Sequence, residues 1–134
     1  MSLMSTTHRK TGNRVYTVDY HLVFCPKYRR KCLVGPVKER VDALIRQKIT
    51  DLGGEVVALE VMPDHVHLFV AMTPDLAPNQ IVAQVKGVTS RLCRQEFPHL
   101  LKMPSLWTRS YFVSTVGHVS DSVVRAYIEN QKGM

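Results

Sequence analysis

The order of segments predicts an α+β fold of the ferredoxin-like split βαβ type. It reads β-α-β-β-α-β, an antiparallel sheet of four strands, followed by an extra C-terminal helix. Three observations predict it. Stretches rich in β-branched and aromatic residues recur at 14–25, 55–62, 65–72 and 110–117. Two stretches with apolar residues at helical spacing, opening at Val37 and Ile81, separate the first strand from the second and the third from the fourth. The pair Pro63-Asp64 joins the middle two strands as tightly as a hairpin requires.

The first strand, "RVYTVDYHLVFC", gives way to "KYRRKCLVGP", which ends in the turn signal Gly35-Pro36. Apolar residues at 37, 41, 44, 45, 49 and 52 then form one face of a helix, which Gly53-Gly54 stops. "EVVALEVM" and "HVHLFVAM" are the hairpin strands. After a loop with two prolines, Ile81, Val85, Val88 and Leu92 mark the second amphipathic helix. Pro98 and Pro104 bracket a connector into the fourth strand, "SYFVSTVG". Ser120 or Asp121 can cap the last helix, "SVVRAYIENQ".

A chain of 134 residues fits one domain, 1–134, with 1–13 read as a flexible leader. Its 45% hydrophobic and 22% charged residues are ordinary for a soluble globular protein. No apolar run approaches the roughly 20 residues of a membrane span, and the N-terminus has no signal-peptide core. Cys25, Cys32 and Cys93 are odd in number and lack C-x-x-C spacing, which argues against a disulfide framework or zinc knuckle and fits thiols in a reducing cytoplasm. A net charge of +7 favours a polyanionic partner, nucleic acid foremost. The cations cluster. "KYRRK" sets Lys27, Arg29, Arg30 and Lys31 around a tyrosine, suited to phosphate contacts with a base stacked on the ring. "KGVTSRLCR" gathers Lys86, Arg91 and Arg94 on a short length of helix.

The hairpin holds the sharpest signal. His65 and His67 stand at i and i+2 of one strand, so both project from one face, about 6.6 Å apart by the usual rise. Val66, Leu68 and Val70 take the other face, toward the helices. Spacing alone leaves a ligand pair and a structural pair about equally open, and two ligands need a third from elsewhere. In "AYIENQ", Tyr127 and Gln131 stand at i and i+4, on one face of a helix. A Gln131 amide oxygen can complete a His/His/Gln set with open positions, which suits Mg²⁺ or Mn²⁺ better than structural zinc. Tyr127 is then a candidate nucleophile, although a tyrosine taken alone is more often a half-buried aromatic.

"MPDHVHLF", "LWTRSYFVSTVG" and "YIENQ", in this order and spacing, closely resemble the TnpA-type single-tyrosine HUH transposases of small bacterial and archaeal insertion sequences, the IS200-like family. "YHLVFCPKYRRKCL" and "KGVTSRL" resemble its first strand and second helix, so the likeness runs from about Tyr20 to Gln131. The resemblance implies a homodimer that cuts and rejoins single-stranded DNA at hairpin-bearing element ends through a 5′-phosphotyrosine. It implies His65 and His67 as metal ligands, Gln131 as the third and Tyr127, on the extra helix, as the nucleophile. Tyr127 of one subunit would complete the histidine pair of the other. It also implies Lys86 and Arg91 as DNA contacts. Relatives often continue past Gln131, where this chain ends at Met134.

Three rival readings remain. Another HUH nuclease of the replication-initiation type shares the chemistry but usually belongs to a larger protein. A nucleic-acid-binding or domesticated regulatory protein could keep the fold without catalysis, against which stands the joint presence of both histidines, Tyr127 and Gln131. A histidine-triad phosphoesterase would need a further histidine and would leave Tyr127 without a role.

Overall fold

The computed structural model describes residues 17–115 and 121–134. The leader over 1–13, the start of the first strand at 14–16 and the end of the fourth at Gly117 lie outside the described residues. So do Ser120 and the side chain of Asp121, the two candidate caps of the last helix.

The first strand, β1 (Val18–Phe24), leads through a 3₁₀ turn at Lys27–Arg29 into the helix α1 (Gly35–Asp51). Pro36 lies in the opening turn of α1, where its missing N–H costs nothing. Val37, Val41, Leu44, Ile45 and Ile49 are its buried stripe. The helix stops as its glycines predict. Gly53 takes φ +86°, its N–H bonds Thr50 O, and Gly54 N–H reaches back to Ile49 O at 2.9 Å. The hairpin strands β2 (Glu55–Met62) and β3 (His65–Met72) follow, then the helix α2 (Pro78–Glu96). The short β4 (Phe112–Ser114) and the helix α3 (Asp121–Glu129) complete the chain.

The sheet has the order β2-β3-β1-β4 with antiparallel neighbours throughout, as a split βαβ unit requires. On β3, Val66, Leu68 and Val70 are buried in the core, which also takes in the apolar stripes of α1 and α2. The alternate residues His65, His67 and Phe69 are half-buried on the opposite face.

Three expectations need correction. The fourth strand was expected over 110–117, yet among the described residues β4 pairs through 112–114 and leaves 110 and 111 outside it. Pairing with the β1 edge resumes at an isolated bridge between Pro26 and Trp107. Between them the carbonyls of Thr108 and Ser110 turn out of the ladder to the Lys86 ammonium, 2.7 and 2.8 Å away. On α2 the buried line runs Ile81, Val82, Val85, Thr89, Cys93, with Val88 and Leu92 only half-buried. It swings because Thr89 and Cys93 serve the core, Thr89 accepting from the Trp107 indole at 2.9 Å. The last helix ends at Glu129, and Gln131 sits in the turn beyond it, its N–H on Ile128 O at 3.0 Å.

Among the cysteines, Cys25 and Cys93 are buried and Cys32 half-buried, all unpaired thiols. Burial, aided by the nearby Asp64 charge, pushes Cys25 up to about 12, so its thiol is inert at neutral pH.

Trp107 meets Phe24 edge-on at 5.0 Å and donates its indole N–H to Thr89 Oγ1 in the core. Thr89→Val keeps the shape but leaves that N–H buried without a partner. Urea denaturation is expected to show a loss of about 1–3 kcal/mol, and an unchanged midpoint would mean that the bond contributes nothing.

Candidate active site

The pleat of β3 brings the rings of His65 and His67 to 4.9 Å between centroids, at 82° to each other. Each ring has a partner at Nδ1. His65 Nδ1 lies 2.8 Å from Asp64 Oδ1, and the other carboxylate oxygen of Asp64 accepts from Arg29 Nε at 2.9 Å. Burial works to raise the Asp64 carboxyl, but the hydrogen bond and charge of His65 and those of Arg29 outweigh it and hold it below the usual carboxylate value. An ionised carboxylate only accepts, so a neutral His65 carries its proton on Nδ1 and its lone pair on Nε2. His67 Nδ1 lies 3.2 Å from Nε2 of His21 on β1, a residue without a role in the sequence reading. His21 is lowered to about 4, by burial first and then by the neighbouring His67, against the opposing pull of Glu60.

Arg29 also reaches Glu129 Oε2 at 3.3 Å and the Ile128 carbonyl at 3.4 Å, both at the end of α3. It does so from a left-handed backbone: Tyr28 has φ +59° and Arg29 φ +50°, a conformation that costs a non-glycine residue about 1–3 kcal/mol. This turn lifts Tyr28 to the surface and sends Arg29 inward. A cleft of about 360 Å³ lies between the histidines and α3, lined on the helix side by Val124, Arg125, Ile128 and Glu129.

Tyr127 and Gln131 are not among the residues lining this cleft. Both meet Ser110 on the approach to β4. The Ser110 hydroxyl donates to Gln131 Oε1 at 2.9 Å, so the phenol of Tyr127, 3.0 Å away, donates to Ser110 Oγ. The Tyr127 ring sits 6.0 Å from that of Phe112, and Gln131 is buried. Burial raises the Tyr127 phenol above its usual value, with the Ser110 bond opposing, so at neutral pH it is protonated and needs activation to attack. Lys86 braces the same segment through the carbonyls of Thr108 and Ser110, and burial brings its ammonium down to about 8.

The structure therefore divides the residues read from the sequence into groups. His65 and His67 share the cleft, and Tyr127 and Gln131 share Ser110. Of the basic residues, Arg30 and Arg91 are exposed and Lys27 is half-buried, its Nζ 5.1 Å from the exposed Tyr28 ring. Arg29 and Lys86 are committed to partners inside the protein. His21, Asp64 and Ser110 went unnoticed as partners. Asp64 could have been found from its position beside His65, whereas His21 and Ser110 depend on strand register and helix docking.

Whether the residues fit a divalent cation can be judged from the donors. Among the described residues no group of three or more His, Cys, Asp or Glu could hold a metal. The fit is to a mixed set instead. The histidine pair would supply imidazole nitrogen from one side of the cleft, and an oxygen donor would have to complete the set.

Residues 14–131 match the family described as "Transposase IS200 like". The chain is 36% identical over 126 residues to the ISDra2 transposase TnpA of Deinococcus radiodurans, covering 92% of this chain and 90% of that one. It is 28% identical over 119 residues to the transposase for insertion sequence element IS200 of Salmonella typhimurium, covering 87% and 78%. A crystal structure of a candidate transposase from Deinococcus radiodurans superposes with a TM-score of 0.81 at 40% identity, covering 90% of this chain and 95% of that one. A REP-associated tyrosine transposase bound to a REP hairpin shares the fold, with a TM-score of 0.54 at 14% identity over 84% of this chain and 62% of its own. The chain belongs to the IS200-like transposases, enzymes that cut DNA and transfer its strands to move insertion sequences.

Proposed function

We propose that the protein cleaves and rejoins single-stranded DNA at insertion-sequence ends through a 5′-phosphotyrosine on Tyr127, with His65, His67 and Gln131 as ligands of Mg²⁺ or Mn²⁺. The observation that carries this reading is that His65 and His67 share one cleft, each held at Nδ1 by a neighbouring side chain, across from a helix that bears a tyrosine. The bound ion supplies Lewis acidity to the scissile phosphate.

The chain's own residues do the rest. The Tyr127 oxygen attacks phosphorus and the bond to the 3′ oxygen breaks. The proton lost by the phenol is balanced by the one gained by the departing 3′-hydroxyl. The new phosphodiester to tyrosine conserves the bond energy, so another 3′-hydroxyl reverses the step and no nucleoside triphosphate is needed. Lys27, Arg30 and Arg91 contact backbone phosphates from the surface, and the exposed Tyr28 offers a ring for stacking. Hairpin DNA at the element ends is the expected substrate; a fold relative was solved with a REP hairpin bound.

The acting unit in this reading is a homodimer with composite sites. Its support is that α3 turns Arg125 and Glu129 to its own histidines while Tyr127 is held at Ser110. A partner's Tyr127 is then the one that reaches the pair.

Removal of the cation with EDTA, or His65→Ala or His67→Ala, is expected to reduce cleavage of labelled single-stranded ends to background. DNA affinity should persist, because surface cations supply it. Undiminished cleavage by both variants would refute the ligand pair. Tyr127→Phe removes one oxygen and should abolish the protease-sensitive protein–DNA adduct while hairpin binding survives; an adduct that maps instead to Tyr111 or Tyr28 would refute the nucleophile. Heterodimers of Tyr127→Phe with His65→Ala hold one intact site if assembly is in trans. They should recover up to about half the wild-type cleavage, whereas inactive heterodimers beside active controls mean each subunit builds its own site.

A further inference from the structure

His21 on β1 is paired in register with Phe69 of β3, so its ring shares the face of His67, two residues earlier on that strand. It lies nearly parallel on the Phe69 ring, at 4.0 Å and 12°, and Phe112 meets its edge at 6.3 Å. With a ring on its face and another at its edge, the imidazole is held with Nε2 directed at His67 Nδ1, 3.2 Å away.

The two histidines of the cleft are therefore held by chemically different partners. Asp64, a carboxylate, only accepts and leaves His65 no choice of tautomer. His21 is an imidazole and can take either role. If His21 Nε2 accepts, the His67 proton sits on Nδ1 and Nε2 is a lone pair. If His21 donates, the proton of neutral His67 sits on Nε2, which then cannot bind a cation.

We propose that His21 is the positioning residue of His67: it accepts the Nδ1 proton and so holds Nε2 of His67 as a lone pair toward a divalent cation. The inference rests on the cation site proposed above and adds to it a residue outside the H-x-H motif. It makes the two ligands unequal, one fixed by a charge and the other by the tautomer of a neighbour. A partner of this kind typically changes metal affinity 10–100-fold.

The test compares the wild-type protein with His21→Phe, which keeps a ring on Phe69 but cannot accept, and His21→Gln, whose amide oxygen can. Long-range ¹H–¹⁵N NMR assigns each imidazole proton, with and without Mg²⁺. Mn²⁺ titration followed by EPR gives affinity, and thermal denaturation reports folding. The His67 proton is expected on Nδ1 in the wild type and in His21→Gln. In His21→Phe it should redistribute toward Nε2, Mn²⁺ affinity should fall by about 10–100-fold, and the His65 signals should stay in place. His21→Gln should recover most of the affinity. Wild-type Mn²⁺ affinity in His21→Phe, with the His67 proton still on Nδ1, overturns the proposal. Should His21→Phe fail to fold, the Mg²⁺-loaded wild type decides the matter, since a proton on His67 Nε2 there overturns it equally. A wild-type protein that takes up no Mn²⁺ refutes the cation site itself, a result distinct from equal uptake by wild type and variant.

Discussion

The alternation along β3 governs everything built around it. Val66, Leu68 and Val70 are buried against the helices, and because the pleat repeats every two residues their burial dictates where His65, His67 and Phe69 must face. A slip of one residue would carry the imidazoles into an apolar core and the valines into the cleft, so the register that folds the sheet also fixes the histidine pair. The tight turn at Pro63-Asp64 adds a second use. It anchors the hairpin and sets Asp64 beside the first histidine, 2.8 Å from Nδ1.

From that strand, a chain of polar contacts runs outward to the elements the core does not hold. Asp64 is joined to Arg29, and Arg29 to the Ile128 carbonyl and Glu129 of α3. On the other side Lys86 holds the carbonyls of Thr108 and Ser110, and Ser110 holds Tyr127 and Gln131. The two cations therefore act as internal braces. Each is desolvated at a cost that its hydrogen bonds offset, and Arg29 also lines the cleft beside the histidines.

Much of this could be read from the chain itself. The apolar stripe of α1 and its Gly53-Gly54 stop, the Pro63-Asp64 hairpin and the single-faced histidines all rest on local periodicity, and they stand where periodicity put them. The identity of Tyr127 and Gln131 as a pair came from their spacing, although Gln131 lies in a turn rather than in the helix. What escaped was set by tertiary contacts. The late start of β4, at Phe112, follows from a lysine on α2 reaching two carbonyls, which no strand propensity encodes. The split of "KYRRK" into an inward Arg29 and an exposed Arg30 follows from two left-handed residues in a row. His21 looked like one more polar residue on a strand, because its meaning depends on what lies across the ladder.

The last helix is short, nine residues from Asp121 to Glu129. A segment of that length has little helical stability of its own in water, where nucleation outweighs so few hydrogen bonds. It is helical here because it is docked: Val124 is covered, Gln131 is buried just past its end, and Arg29 and Ser110 grip its C-terminal end. On the proposed reading of Tyr127 as nucleophile, bringing it to a phosphate would exchange one docking surface for another, the second compensating for what the first gives up. On that reading the position of the helix is decided by a difference between two sets of contacts rather than by the strength of one.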